Sequence, residues 1–165
     1  MAETGGWSRQ QVILHWTVVV LVVLQLVVGD AMSEVWEARQ EGAAFAGPSP
    51  GAIVHIVAGV TVLLLMLYRF YLRLTRGHPP RPEGQPQWAS TLGAVTHWAL
   101  YVLLILMPIS GAVAWFAGVE GAAMAHAGLL RLALIALILL HVAGALAEHF
   151  VFKSPVLKRM LGMRG

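Results

Sequence analysis

A chain of 165 residues that is 58% hydrophobic and only 12% charged, with a mean hydropathy of +0.74, does not read as a soluble domain, which carries about 25% charged residues. The absence of cysteine excludes disulfides, iron–sulfur clusters, thiolate zinc sites and covalent c-type haem attachment. The net charge of +3 and the pI of about 9.8 do not point to nucleic acid, because the basic residues lie beside apolar segments and act there as topology signals.

Four apolar segments take up most of the chain, at about 12–29, 52–74, 91–117 and 126–152. Each approaches or exceeds the roughly 20 residues that cross a hydrocarbon core of about 30 Å. Residues 1–165 are therefore expected to form a single transmembrane domain. The first segment is too long for a signal peptide, and His15 and Trp16 suit one poorly. The connection at 30–51 is polar. Within it SEVWEARQE reads as a short surface helix, and GPSPG at 47–51 starts the next element. The second span ends in Arg69, Arg73 and Arg76, whose long stems can reach the headgroups. Residues 77–90 read as a Pro-rich linker too broken for a helix. Pro108 is expected to kink the third span and Gly111 to let a neighbour approach. A short connection at 118–125 leads to the fourth span, which is followed by the basic tail KSPVLKRMLGMRG.

Charge sets the orientation. The 30–51 connection holds Asp30, Glu34, Glu37 and Glu41 against Arg39, and the 118–125 connection holds Glu120. Arg69, Arg73, Arg76 and Arg81, with Lys153, Lys158, Arg159 and Arg164, lie on the opposite side. Positive residues remain in the cytoplasm, so both termini are expected inside. The expected fold class is an all-α membrane bundle of four antiparallel helices.

This orientation gives each histidine a depth. His55 and His126 fall in the outer leaflet. His15, His97 and His141 fall in the inner leaflet, with His149 below them at the interface and His78 in the linker. Ionisable side chains inside a bilayer are costly and usually mark a function. Facing imidazoles are what six-coordinate haem iron needs, and the depth sorting suits one cofactor per leaflet. Gly59, Gly93 and Gly144 share helix faces with His55, His97 and His141 and would leave room for a flat ring. Depth alone leaves His15 and His97 as alternatives for the inner pair. Arg131, inside the fourth span, either pairs with a haem propionate or reaches the outer interface. The tryptophans read mostly as an interfacial belt, although Trp16 and Trp98, each just after an inner histidine, can also line a cofactor edge. The rival reading is a non-redox histidine bundle that binds a divalent metal or only hydrogen-bonds. Zinc and copper sites usually add Asp, Glu or Cys, and the spans contain no acidic residue but Glu148.

Several local sequences, in order, carry a resemblance: ILHW at 13–16, IVHIVAG at 53–59, YRFYLR at 68–73, HWALYVLLILMPISG at 97–111 and LLHVAGALAEHF at 139–150. Together they make the chain similar to the bacterial cytochrome b561 family of di-haem membrane proteins over nearly its whole length. The resemblance implies two haem b groups, with His55 and His126 as axial ligands of the outer one and His15 and His141 of the inner one. It makes His97 a non-ligand near the inner haem or a quinone, and His149 a possible quinone or supporting contact. It further implies a multi-pass protein of the bacterial inner membrane, with ubiquinone as electron acceptor. The donor is either superoxide, oxidised at the outer face, or a redox partner protein; in the latter case the chain is the haem b membrane anchor of a dehydrogenase or hydrogenase. In the family the two fourth-helix histidines usually lie fourteen apart. Here the spacing is fifteen, which turns His126 by about 100° unless a local bulge absorbs the extra residue. Where the family often has two adjacent histidines near the end of this helix, this chain has Glu148–His149.

Overall fold

The computed structural model describes residues 7–42, 47–77 and 85–162, and all of the regular structure in them is helical. Helix α1 runs over Arg9–Gln40, α2 over Pro50–Arg76 and α3 over Gln87–Ala117. A fourth rod, Glu120–Phe150, is built from α4 (Glu120–Ala125), a π-helical segment (His126–Leu130) and α5 (Arg131–Phe150). A short α6, Val156–Met160, closes the described chain. All four rods are long and apolar enough to span a membrane. The protein is thus a four-helix, multi-pass membrane protein.

The starts of the first two helices follow from local chemistry. Ser8 caps α1 in a capping box: its hydroxyl accepts from the Gln11 amide at 3.3 Å, while the Gln11 side chain accepts from the Ser8 amide at 3.0 Å. Ser49 caps α2 at the Ala52 amide, with Pro50 at the first helical position, where its missing N–H costs nothing.

Three expected boundaries move. The SEVWEARQE segment is not a separate surface helix but the end of α1, because residues 31–40 contain no proline or glycine and are rich in good helix formers. At 32 residues, α1 is about 48 Å long and projects well past a hydrocarbon core of about 30 Å. Gln87–Ser90 belong to α3, which begins directly after Pro86 in extended backbone. Residues 120–125 of the expected connection are helical too. The chain turns at Gly118, whose positive φ of 68° suits glycine and whose amide donates to the Ala114 carbonyl at 3.0 Å. His78 and half of the Pro-rich linker, residues 78–84, lie outside the described residues.

The bundle turns its large apolar side chains outward. Leu129 is 74% exposed, Phe116 73% and Val27 72%. Apolar surface on this scale is untenable in water and natural against lipid. The core is small: Val18 and Val22 of α1, Val62 and Met66 of α2, Leu103 of α3 and Leu134 of α5. It lies at mid-depth, since Val62 is seven residues beyond His55 on α2 and Leu134 is seven before His141 on α5. Where α1 ends and α2 begins, the two helices nearly touch. A Cβ on Gly51 would lie 2.7 Å from the Ala31 Cβ, well inside the roughly 3.5–4.0 Å at which carbon atoms pack. Gly51→Val is therefore expected to push the helices apart and to cost about 1–3 kcal/mol. Thermal unfolding in detergent measures this, and an unchanged melting temperature would contradict the close packing.

Candidate functional site

The bundle brings its histidines together in two places. In one half, His55 of α2 and His126 at the start of the π segment face each other with ring centroids 6.1 Å apart and planes at 74°. In the other half, His15 of α1 and His141 of α5 stand at the same 6.1 Å, with planes at 63°. His97 of α3 is nearer to His141, at 5.1 Å. His149 lies against Phe150 at 4.8 Å. A metal ion held about 2 Å from a nitrogen of each of two opposed imidazoles sets their ring centroids about 6 Å apart. Both 6.1 Å pairs have that spacing. The 5.1 Å pair is too close for it.

The seat of His126 is built by one turn of α3. His126 Nδ1 is 2.9 Å from the Met107 carbonyl and 3.0 Å from the Ser110 hydroxyl. A carbonyl can only accept, so Nδ1 carries the proton and Nε2 is left as a bare lone-pair nitrogen. Metal-binding histidines are characteristically fixed in this way. Gly111 makes the approach possible, because a Cβ there would lie 3.1 Å from His126 Cε1. The π segment supplies the register. It absorbs one residue into its wider turn, so His126 stands relative to His141 as it would at a spacing of fourteen, about 40° off a common line.

His55 is held differently. Gln25 of α1 donates to the His55 carbonyl at 3.0 Å. The Gln25 amide occupies the space beside Gly59, where a Cβ would come within 2.8 Å of Gln25 Nε2. The missing side chain at Gly59 therefore admits Gln25, while Gly59 itself also lines the cavity beside His55. Around Gly93 and Gly144 the space is open. His55 Nδ1 and Gln25 Oε1 are buried and have no partner within the protein. They border a cavity of about 370 Å³ lined also by His126, Gly111, Trp115 and Arg131. Its volume is within the roughly 300–1,000 Å³ of cofactor pockets. The imidazole pair at 6.1 Å, the orphaned polar atoms and the apolar walls fit a flat, metal-centred ring.

The projecting end of α1 roofs this cavity, with Trp36 and Glu37 in its lining. Arg39 pins the roof to α3. It donates to the Trp115 carbonyl at 2.9 Å and stacks over the Trp115 ring at 5.1 Å. Arg131 approaches Asp30 at 3.9 Å while lining the cavity.

The arginines at the far end of α2 do not all reach outward. Arg73 lies over the Trp98 and Tyr101 rings at 5.0 and 5.4 Å. One Arg69 guanidinium nitrogen, Nη1, is buried inside the bundle. Arg76 alone keeps the expected peripheral role, donating to Gln10 at 3.1 Å. Glu148 accepts a hydrogen bond from Gln85, and its second oxygen is buried without a partner. Trp16 donates to the Met160 carbonyl at 2.7 Å, tying α1 to α6. Among the described residues no group of three or more His, Cys, Asp or Glu side chains could hold a metal ion. The divalent-metal reading therefore lacks the usual three or four protein ligands.

Residues 6–163 match the family model described as prokaryotic cytochrome b561. The chain is 32% identical over 164 residues to cytochrome b562 of Cereibacter sphaeroides, an alignment covering 99% of this chain and all of the relative. It is 29% identical over 178 residues to a probable superoxide oxidase CybB of Yersinia pestis, covering 94% of this chain and 95% of the relative.

The π segment generates a test. Deleting the lipid-exposed Leu129 should convert it to regular α-helix and keep His126 against Met107. Inserting an alanine after Leu129 should instead rotate His126 away by about 100°. Haem content and low-spin absorbance are expected to survive the deletion and to fall with the insertion. The reverse result would show that the segment does not set the register.

Proposed function

The chain belongs to the prokaryotic cytochrome b561 family, whose members transfer electrons through membranes on haem b, and we propose that it carries two haems, one per leaflet, linking the outer face of the bacterial inner membrane to ubiquinone at the inner side. The observation that carries this reading is the pair of opposed imidazoles, repeated at 6.1 Å in both halves of the bundle. His55 and His126 are the outer ligands, and His15 and His141 the inner ones. His97, crowded against His141, binds no iron and serves the inner haem or the quinone from beside it. His149 is a more peripheral contact of the same region. Both termini are cytoplasmic, in keeping with the basic tail and the acidic outer connections.

When bound, haem iron supplies reversible one-electron exchange. The protein's part is to hold the ligand nitrogens, exclude water and tune the potential. The Met107 carbonyl and Ser110 hydroxyl keep the proton on His126 Nδ1 and so keep Nε2 free to ligate. The apolar layer of Val18, Val62, Leu103 and Leu134 separates the two pairs. It keeps the path between them dry without breaking it.

These assignments predict separate losses. His55→Ala should remove one haem and leave the other, since no further outer histidine is available. His97→Ala should keep two haems per chain and change only the kinetics with quinone. A pyridine haemochrome count reads both variants. Loss of one haem in His97→Ala, with two retained in His15→Ala, would reverse the inner assignment. Colourless wild-type protein expressed with ample haem would overturn the reading as a whole.

The Yersinia relative's name supports superoxide as the outer donor. Two superoxide ions would give two molecules of dioxygen, and their two electrons with two protons would reduce one quinone to quinol. A second reading, in which the chain anchors a soluble dehydrogenase or hydrogenase subunit, is favoured by the outer surface. Asp30, Glu34, Glu37, Glu41 and Glu120 outnumber Arg39 and Arg131 there. Such a face repels an anion and attracts a basic protein surface. The sign of the salt effect separates the two. With superoxide as donor, the second-order rate should rise as salt screens the repulsion. With a basic protein donor it should fall steeply.

A further inference from the structure

We infer that Arg69 is an internal carboxylate seat, the site at which a propionate of the inner haem is held. The inference rests on the di-haem reading above and assigns a residue that the ligand pairs leave unused.

Arg69 lies fourteen residues after His55 on α2, about 40° from the same face and about 21 Å further along the axis. It falls between Met66 and Leu72, both buried, so its stem leaves from the stripe of α2 that faces the other helices. Its guanidinium reaches the Tyr101 hydroxyl and lies within electrostatic range of His15, His97 and His141. Nη1 is buried without a hydrogen-bond partner. None of these neighbours is an anion, and Arg73 adds a second cation over Trp98 and Tyr101. Glu148, the sole acidic residue of the predicted spans, accepts from Gln85. A buried guanidinium with no counter-charge among the described residues calls for an anion in this setting. Its planar fork matches a carboxylate better than any other common anion. Haem b brings two carboxylates, each of which needs a cation once it leaves water. Arg131, by contrast, already has Asp30 within 3.9 Å.

The test uses Arg69→Gln and Arg69→Lys as holoproteins, purified in detergent and free of quinone. Arg69→Gln is expected to keep two haems, to lower the potential of the inner haem alone because a nearby positive charge favouring the ferrous state is lost, and to shift a propionate-bending resonance Raman band. Arg69→Lys should retain the potential and still shift the Raman band, since it preserves the charge and loses the fork. Two haems with an unchanged inner potential and unchanged Raman band in Arg69→Gln would overturn the inference. So would an unchanged potential combined with a several-fold rise in KM for ubiquinone, which would assign Arg69 to the quinone. If Arg69→Gln loses the inner haem, recovery of that haem at the wild-type potential in Arg69→Lys supports the inference, and its absence overturns it. A wild-type protein with only one haem would instead refute the di-haem reading.

Discussion

Polar rings cannot face hydrocarbon, and this constraint shapes the bundle more than any single contact. Lipid offers no hydrogen bonds, so a helix carrying an imidazole must turn it toward another helix or toward a bound group. His15, His55, His97, His126 and His141 all do so, while leucine, valine and phenylalanine cover the outside. The apolar core is correspondingly thin, a single layer at mid-depth. In a soluble protein so small a core would be a weakness. In a bilayer it separates two groups of histidines, and the surrounding lipid takes the apolar surface that remains exposed.

The two halves solve the same problem with different hardware. In the half that holds His55 and His126 one turn of α3 acts as a socket: the Met107 carbonyl and Ser110 hydroxyl fix the tautomer of His126, and Gly111 removes the atom that would block the ring. His55 receives no such bond on its ring. Gln25 holds its backbone instead, leaving the imidazole with one unpaired nitrogen. This chamber has a built roof, the projecting end of α1 clamped by Arg39 onto Trp115. In the other half three histidines crowd together with Arg69 and Arg73 nearby, so that end is rich in cationic and proton-binding groups.

The π segment shows how a small irregularity keeps such a site in register. A one-residue change of spacing would carry His126 about a quarter-turn around the rod. Widening a single turn removes the error locally and leaves both flanking stretches, Glu120–Ala125 and Arg131–Phe150, regular α-helix. A π turn lacks one i→i−4 bond, and an unsatisfied backbone group is costly in lipid, so such a turn persists where something repays it. Here that something is the pair of contacts from His126 to α3.

Much of this protein is legible in its sequence, because the bilayer imposes simple rules. Apolar length reveals four spans. Flanking charge suggests an orientation, and orientation sorts the histidines by depth, so that His55 is expected to meet His126, and His141 to meet His15 or His97, as the ring contacts bear out. The ordered motifs reveal the family. Other features depend on which helix packs against which, and no local pattern reports that. Composition stops the first span near residue 29, yet nothing in the backbone ends the helix there, and α1 continues to Gln40. Gly59 has the spacing of a residue that makes room for a ring and does line the cavity, but that Gln25 takes the place of its missing side chain is fixed only by tertiary packing. Arg69 has a stem long enough to reach the headgroups, and a single strand of text cannot show that α2 turns it inward. His15 and His97 are equivalent by depth. Only the lateral arrangement of α1, α3 and α5 separates a ring at 6.1 Å from one at 5.1 Å. Depth in a membrane is a one-dimensional coordinate that sequence encodes directly, whereas lateral position arises from contacts among helices far apart in the chain.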